Sequence, residues 1–332
     1  MKAIVQERYG SPDVLSLREV PPPRPAADEV LVEVRAASVN ARDWHVMRGD
    51  PYLARLADPV HFGRRGPRFP IRGTDFAGRV AAVGAAVTGF RVGQEVYGDT
   101  VVGGAFAEYV SVSSRTLAAK PAALTFAQAA AVPLAASTAL LGLRDAGELR
   151  AGQRVLVNGA SGGVGTFAVQ IARALGADVT AVCSTRNVEL IRSLGVDRVV
   201  DYTREDFART GLPRHDVVLD LVGNRSLADL RRVLMPSGTL VLSGGGVSTG
   251  GSLLGPLGLF VRAEVVRRFV GHRIVRLDVP ADAANLATLG ELADGGALTP
   301  VIDRSYPLAR TADAIRYVET EHARAKVVIT VA

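Results

Sequence analysis

One seven-residue stretch, GASGGVG at 159–165, constrains this chain more than any other part of it. It follows the apolar run Val155-Leu156-Val157-Asn158 and opens an apolar helical pattern from Thr166 to Leu175. Strand, glycine-rich turn and helix in that order make the first part of a βαβ unit whose turn receives the pyrophosphate of a dinucleotide. Ala160, Gly162 and Gly165 stand at the three glycine positions of G-x-G-x-x-G, and Ala160 departs from the usual first glycine. At the second position, Gly162 lets the backbone approach a pyrophosphate; at the third, Gly165 lets helix pack on strand. Ser161, Gly163 and Val164 are then expected to line the pyrophosphate with backbone amides and the Ser161 hydroxyl.

The next strand sets the choice of dinucleotide. It ends at Cys183, eighteen residues after Gly165, where an NAD site places an acid for the ribose 2′-hydroxyl. Here the chain reads Cys183-Ser184-Thr185-Arg186-Asn187. A carboxylate would repel a 2′-phosphate, whereas hydroxyls donate to it and a guanidinium clamps it, so NADPH is expected, held by Ser184 and Arg186. Tyr202, at the end of the third strand, is placed to cover the adenine or to donate to the same phosphate. The alternative for Arg186 is a side chain that only faces solvent. Cys183 is the single cysteine, which excludes an internal disulfide framework and any multi-cysteine zinc site. At the end of a buried strand it is expected to pack rather than react.

At 332 residues the chain exceeds what one core usually fills, so two domains are expected. Residues 1 to about 120 read as short strands between turn residues, at 3–6, 14–20, 29–37, 79–83, 95–97 and 106–110. Six apolar runs follow, at 154–158, 178–183, 198–200, 216–222, 239–243 and 274–279, alternating with amphipathic segments, the pattern of a parallel sheet wrapped by helices. Beyond Pro280 come helical stretches at 283–294 and 311–321 and a final strand at 327–331. The uncharged stretch 122–143 is long enough to span a bilayer, but Gln128, Pro133, Ser137 and Thr138 interrupt it, and a buried helical connector is the better reading. The irregular loop 48–72 is the longest insertion and has the length of a lid. The formal charge of +6 comes from arginines interleaved with 33 acids and forms no basic block, so neither nucleic acid nor a membrane is an expected partner. The first ten residues carry no apolar secretory core, and a cytoplasmic location is expected.

Five segments, taken together with the β-rich N-terminal part, resemble the zinc-free quinone oxidoreductase branch of the medium-chain dehydrogenases/reductases, in particular its reticulon-4-interacting-protein-like and alkenal/enone reductase members. They are ASVNARDWHVMRG (37–49), GTDFAGRVAAVG (73–84), GGAFAEYV (103–110), GASGGVGTFAVQIARALGADVTAVCS (159–184) and HARAKVVI (322–329). The resemblance covers essentially the whole chain. It implies an α/β fold: a GroES-like β-barrel catalytic domain over 1–124, an inserted Rossmann domain with a doubly wound parallel sheet over 125–282, and a C-terminal segment, 283–332, completing the first domain. The nicotinamide is then expected in the cleft between the domains. Zinc-dependent relatives place a cysteine ligand where this chain reads Asn40 to Asp43, and a His-Glu pair where it reads Thr74-Asp75, so no metal site is expected. By the same carry-over Thr138, Ser161, Gly163, Val164, Ser184, Tyr202 and Gly244 match cofactor-contacting positions. His322, Arg324 and Lys326 lie in the tail segment that approaches the cofactor, with Ala325 where relatives often have glycine.

Without zinc to polarise a carbonyl, reduction of a conjugated C=C or a quinone is favoured over alcohol oxidation. Small hydrophobic carbonyl or quinone substrates are expected. Asn40 is the candidate for orienting the nicotinamide or a substrate carbonyl, and Tyr52 the candidate donor from the loop; the plain alternatives are that Asn40 caps a turn and that Tyr52 is merely exposed. Asp43 is expected only to hold the loop. A homodimer is an expectation from the resemblance alone. The opposing readings are a non-catalytic NADPH-binding sensor or scaffold, and an alcohol dehydrogenase, which the missing ligands argue against.

Overall fold

The computed structural model describes residues 1–63, 66–209, 211, 213–243, 257–321 and 323–331. The chain divides into two compact units, Met1–Ser137 with Pro280–Ala332, and Thr138–Val279. In chain order the strands are β1 (Lys2–Gln6), β2 (Leu15–Glu19), β3 (Glu29–Val39), β4 (Asp75–Val83), β5 (Glu95–Asp99), β6 (Tyr109–Ser113), β7 (Leu117–Ala119), β8 (Arg154–Asn158), β9 (Asp178–Cys183), β10 (Arg198–Asp201), β11 (His215–Asp220), β12 (Leu234–Leu242), β13 (Arg273–Arg276), β14 (Ile302–Pro307) and β15 (Lys326–Thr330).

The first unit is built on a seven-stranded sheet of order β14-β15-β3-β4-β5-β7, with β6 paired to β3. β3 is its spine. Burial alternates along its first half and is continuous from Ala36 to Val39, where β4 and β15 flank it on both edges. Val32, Val34, Phe76, Val96, Phe106, Val327 and Ile329 pack into one apolar core. β15 comes from the far end of the sequence and runs antiparallel to β3, Val327 opposite Val39 and Ile329 opposite Ala37.

The second unit carries a six-stranded parallel sheet of order β10-β9-β8-β11-β12-β13. Its central strands are buried on both faces, as a sheet covered by helices requires, and so read as unbroken apolar runs. Leu156, Val182, Val218, Leu240 and Ile274 share a second core. The strand order reverses between β8 and β11, and in such sheets the crevice beyond the carboxyl ends at that point takes the ligand.

The domain boundaries differ from those expected. Residues 125–137 belong to the first unit, because the helix Phe126–Ala130 packs on β3 and β4 and the Leu134 N–H donates to Asp75 Oδ2 at 3.1 Å. Residues 280–282 also stay with the first unit, where Asp282 caps the helix Ala283–Asp294 through a 3.0 Å bond from the Ala284 N–H. The uncharged stretch forms the helices Phe126–Ala130 and Pro133–Leu140 followed by a π-helical turn, Leu141–Ala146. Pro133 opens the second of these, where its missing N–H costs nothing. The expected lid loop contains a helical turn at Ala54–Ala57. No helix among the described residues is long and apolar enough to cross a membrane.

Candidate cofactor and active site

Gly159, not the position held by Ala160, makes the tight turn after β8. Its φ is +87°, and a Cβ there would lie 2.5 Å from Val222 Cγ2. Ala160 is therefore tolerated: it is fully buried and its N–H donates to Val182 O at 3.0 Å. A Cβ on Gly165 would meet Gly159 O at 2.2 Å, so that glycine is demanded by packing of the helix Gly165–Ala174 on the turn. A Cβ on Gly162 would come no nearer than 3.4 Å to Gly159 O, an ordinary contact. The fold itself does not need glycine at 162, and the open backbone there has room for a ligand to approach closely.

Beyond β9 lies a cluster of hydroxyls. The buried Asn187 donates from Nδ2 to Ser161 Oγ at 2.9 Å and to Ser184 Oγ at 3.3 Å. Thr185 is otherwise engaged: its hydroxyl lies 2.5 Å from Asp201 Oδ2 and 2.8 Å from Thr203 Oγ1. The Thr185 hydrogen bond holds the Asp201 carboxyl below its ordinary range, so this acid stays ionised with its oxygens committed. Arg186 is exposed, and Tyr202 is 49% exposed with its N–H on Cys183 O at 3.0 Å. Cys183 is buried, and burial pushes its thiol up to about 11, with Asp201 adding to the effect. It is an inert packing residue.

At the switch point between β8 and β11, Asn158 Nδ2 donates to Asp220 Oδ1 at 2.8 Å and to Asn224 Oδ1 at 3.1 Å. Asp220 Oδ1 also accepts the N–H groups of Val222 and Gly223, both at 3.2 Å, and this shapes the loop after β11. Asp220 Oδ2 is buried without a partner. Asn158, Asn187 and Asp220 were not singled out from the sequence. For Asn158 and Asp220 the available signal was a polar residue at the carboxyl end of a strand facing the crevice; Asn187 lies in the turn after β9 and gives no such signal. Thr138 is buried, and Gly244 lies outside the described residues.

In the first unit, Asn40 precedes the helix Ala41–Arg48, and its N–H donates to Asp43 Oδ2 at 2.7 Å. The capping reading of Asn40 is thus realised, and Asp43 holds the turn. The Asn40 side chain does something further: Oδ1 accepts the Lys326 ammonium at 2.5 Å, Val39 O accepts it at 3.3 Å, and Asp75 Oδ2 stands 4.0 Å away. Asn40 Nδ2 is buried and faces the Asp75 carboxylate without closing a hydrogen bond to it. Burial raises Asp43 to about 6 and Asp75 to about 7, the latter against the pull of the Lys326 ammonium, while burial lowers Lys326. Lys326, expected in the tail segment that approaches the cofactor, has its head group committed to this cluster and is only 2% exposed. Arg324 pairs with Asp303 at 3.0 Å, and His322 lies outside the described residues. Ala325 keeps a φ of +52°, so the tail follows the path a glycine would take. Tyr52 is 46% exposed, with the Arg55 guanidinium 4.7 Å from its ring centroid.

Two fits follow from these donor sets. The open Gly162 turn, the helix start behind it and the paired serine hydroxyls suit a dinucleotide's phosphates. A zinc ion does not fit around Asn40 and Asp75: their oxygens already face an ammonium, and a divalent cation beside a buried ammonium is repelled. Among the described residues no group of three or more His, Cys, Asp or Glu side chains is arranged to hold a metal.

A parallel sheet with a glycine turn at its switch point, in one chain with a β-rich unit that carries a buried polar cluster, defines a nicotinamide-dependent oxidoreductase. Comparison with known proteins agrees. Residues 26–122 match the alcohol dehydrogenase GroES-like domain and residues 194–329 the zinc-binding dehydrogenase model. The chain is 34% identical to the mitochondrial NAD(P)H oxidoreductase RTN4IP1 of Mus musculus, covering 100% of this chain and 89% of that protein. It is 35% identical to the chloroplastic NADPH-dependent alkenal/one oxidoreductase of Arabidopsis thaliana, over 99% of this chain and 79% of the relative. The quinone oxidoreductase from Coxiella burnetii superposes with a TM-score of 0.86 at 31% identity, covering 100% of this chain and 99% of that one. The chain belongs to the quinone oxidoreductase branch of the medium-chain dehydrogenase/reductase family, with a GroES-like and a Rossmann domain.

Proposed function

We propose that this oxidoreductase uses NADPH to reduce quinones or the activated C=C of enones and enals, without zinc. The observation that carries the reading is the end of β9, where the paired Ser161 and Ser184 hydroxyls stand in place of the acid that an NAD site would need. The names of the quinone and alkenal/one oxidoreductases it resembles support the substrate class. NADPH supplies the hydride, and the chain's own residues bind, orient and exclude water. Asn40 is the residue assigned to the carbonyl oxygen: with Oδ1 held by Lys326 and Nδ2 facing Asp75 without a closed hydrogen bond, the amide keeps an N–H to donate, and a donor there stabilises negative charge building on that oxygen. Because the buried cation is a lysine, this local positive charge needs no metal.

The test follows absorbance loss of NADPH or NADH with 9,10-phenanthrenequinone and with a medium-chain enone, each with and without EDTA. The expected result is NADPH oxidation, strongly preferred over NADH and indifferent to chelator. Loss of turnover in EDTA overturns the zinc-free reading. Tight NADPH binding without oxidation by either acceptor overturns the catalytic one.

A further inference from the structure

The structure assigns to Asn187 the role of setting cofactor specificity by aiming two serine hydroxyls at the 2′-phosphate. This rests on the NADPH reading above and deepens it.

The argument begins with hydrogen-bond inventory. A primary amide nitrogen has two protons to give, and a serine hydroxyl has one proton and two lone pairs. Asn187 Nδ2 spends one proton on Ser161 Oγ and the other on Ser184 Oγ, at 2.9 and 3.3 Å. Each hydroxyl therefore has a lone pair filled from inside the protein, and its own proton remains to be donated outward. The two serines come from different segments, one from the glycine turn after β8 and one from the end of β9. Among the described residues, Asn187 is the group that ties them together. A phosphate oxygen that takes both protons leaves the Oγ lone pairs facing Nδ2, so ligand and amide orientation reinforce each other.

Burial fixes the arrangement. Asn187 is 4% exposed, it opens the helix Val188–Ser193, and its own N–H is tied to Ser184 O at 2.9 Å. Its Oδ1 is buried with no partner. Rotating the amide by half a turn would satisfy that oxygen with the two hydroxyl protons, but it would take those protons away from the ligand. An unpaired buried acceptor is costly, and here the cost falls on the atom whose pairing would disarm the site. Thr185 cannot substitute, because its hydroxyl is already bound to Asp201.

Asn187 thus acts through the serines and is a positioning residue. The experiment measures NADPH and NADH dissociation constants by titration calorimetry for the wild type, Asn187→Asp, Asn187→Ala, Ser161→Ala/Ser184→Ala, and that double variant combined with Asn187→Ala. Asn187→Asp keeps the shape but accepts where the amide donated, drawing both hydroxyl protons inward. It should weaken NADPH by about tenfold or more and leave NADH within about threefold. In the Ser161→Ala/Ser184→Ala background, Asn187→Ala should not change the NADPH-to-NADH ratio further, because nothing remains for it to aim. The assignment is overturned if the Asp variant weakens both cofactors alike, or if Asn187→Ala still lowers the ratio when both serines are gone. If Asn187→Asp does not fold, judged by its thermal melt without cofactor, the serine-background comparison decides. A wild type that itself prefers NADH overturns the cofactor reading and this assignment together, whereas NADPH preference with an unaffected ratio in the variants overturns the assignment alone.

Discussion

At the scale of single residues, the buried carboxyls of the first unit carry a pH signature. Burial raises Asp43 from 3.8 to about 6. Between those values the folded chain keeps a proton that the unfolded chain has already released, so stability falls as pH rises through this window. The loss for Asp43 amounts to about 3 kcal/mol once the pH exceeds its folded value. Asp43→Asn stays neutral and keeps an oxygen for the Asn40 N–H. Urea denaturation of both proteins at about pH 4 and pH 7 should show the variant gaining by about that amount relative to wild type at the higher pH. A stability difference that does not change with pH would mean that the carboxyl is not raised. The same cluster shows why sequence pattern under-describes the site. Asn40 was legible as a polar residue before a helix, and Lys326 as a cation near the tail, but their contact joins residues 286 positions apart. Only the pairing of β15 with β3 brings them together.

At the scale of elements, the glycine turn and the strands around it were the most legible part of the molecule. The strands 154–158 and 178–183 and the helix Ala283–Asp294 appear with the bounds read from the pattern, because length, β-branched content and flanking turn residues separate short buried strands from a twelve-residue helix. β7 and β14 were not foreseen: β7 has three residues, and β14 is polar and partly exposed, so neither has a hydrophobic signature to read. The tight turn itself falls at Gly159, one position before the first fingerprint position, and φ is not visible in a sequence pattern. Two substitutions separate the roles of the remaining glycines. Gly165→Ala forces a Cβ against the Gly159 carbonyl and should lower stability by about 1–3 kcal/mol, seen in thermal or urea unfolding. Gly162→Ala has room within the fold and should unfold like wild type; on the proposed reading, in which the pyrophosphate approaches this turn, it should bind NADPH at least about tenfold more weakly. If both variants lose stability equally, the division of labour is wrong.

For the whole molecule, the two units have separate apolar cores, and the first is discontinuous in sequence. A chain ending at residue 320 lacks β15 and Lys326, so β3 loses an edge partner and Asp75 loses its counter-charge. Hydrogen exchange on that truncated chain should show β3 and β4 exchanging fast while β8 and β9 keep their protection. Equal loss in both units would show that their stabilities are not separate. The seam at β15 also bears on how the protein is made. Strands β3 to β7 of the first sheet leave the ribosome early, yet the Ala36–Val39 edge of β3 stays bare until β15 emerges, by which time the whole inserted unit has been available to fold. The first unit is thus completed only after the unit inserted into it, and until β15 arrives the open edge of β3 is exposed to mispairing.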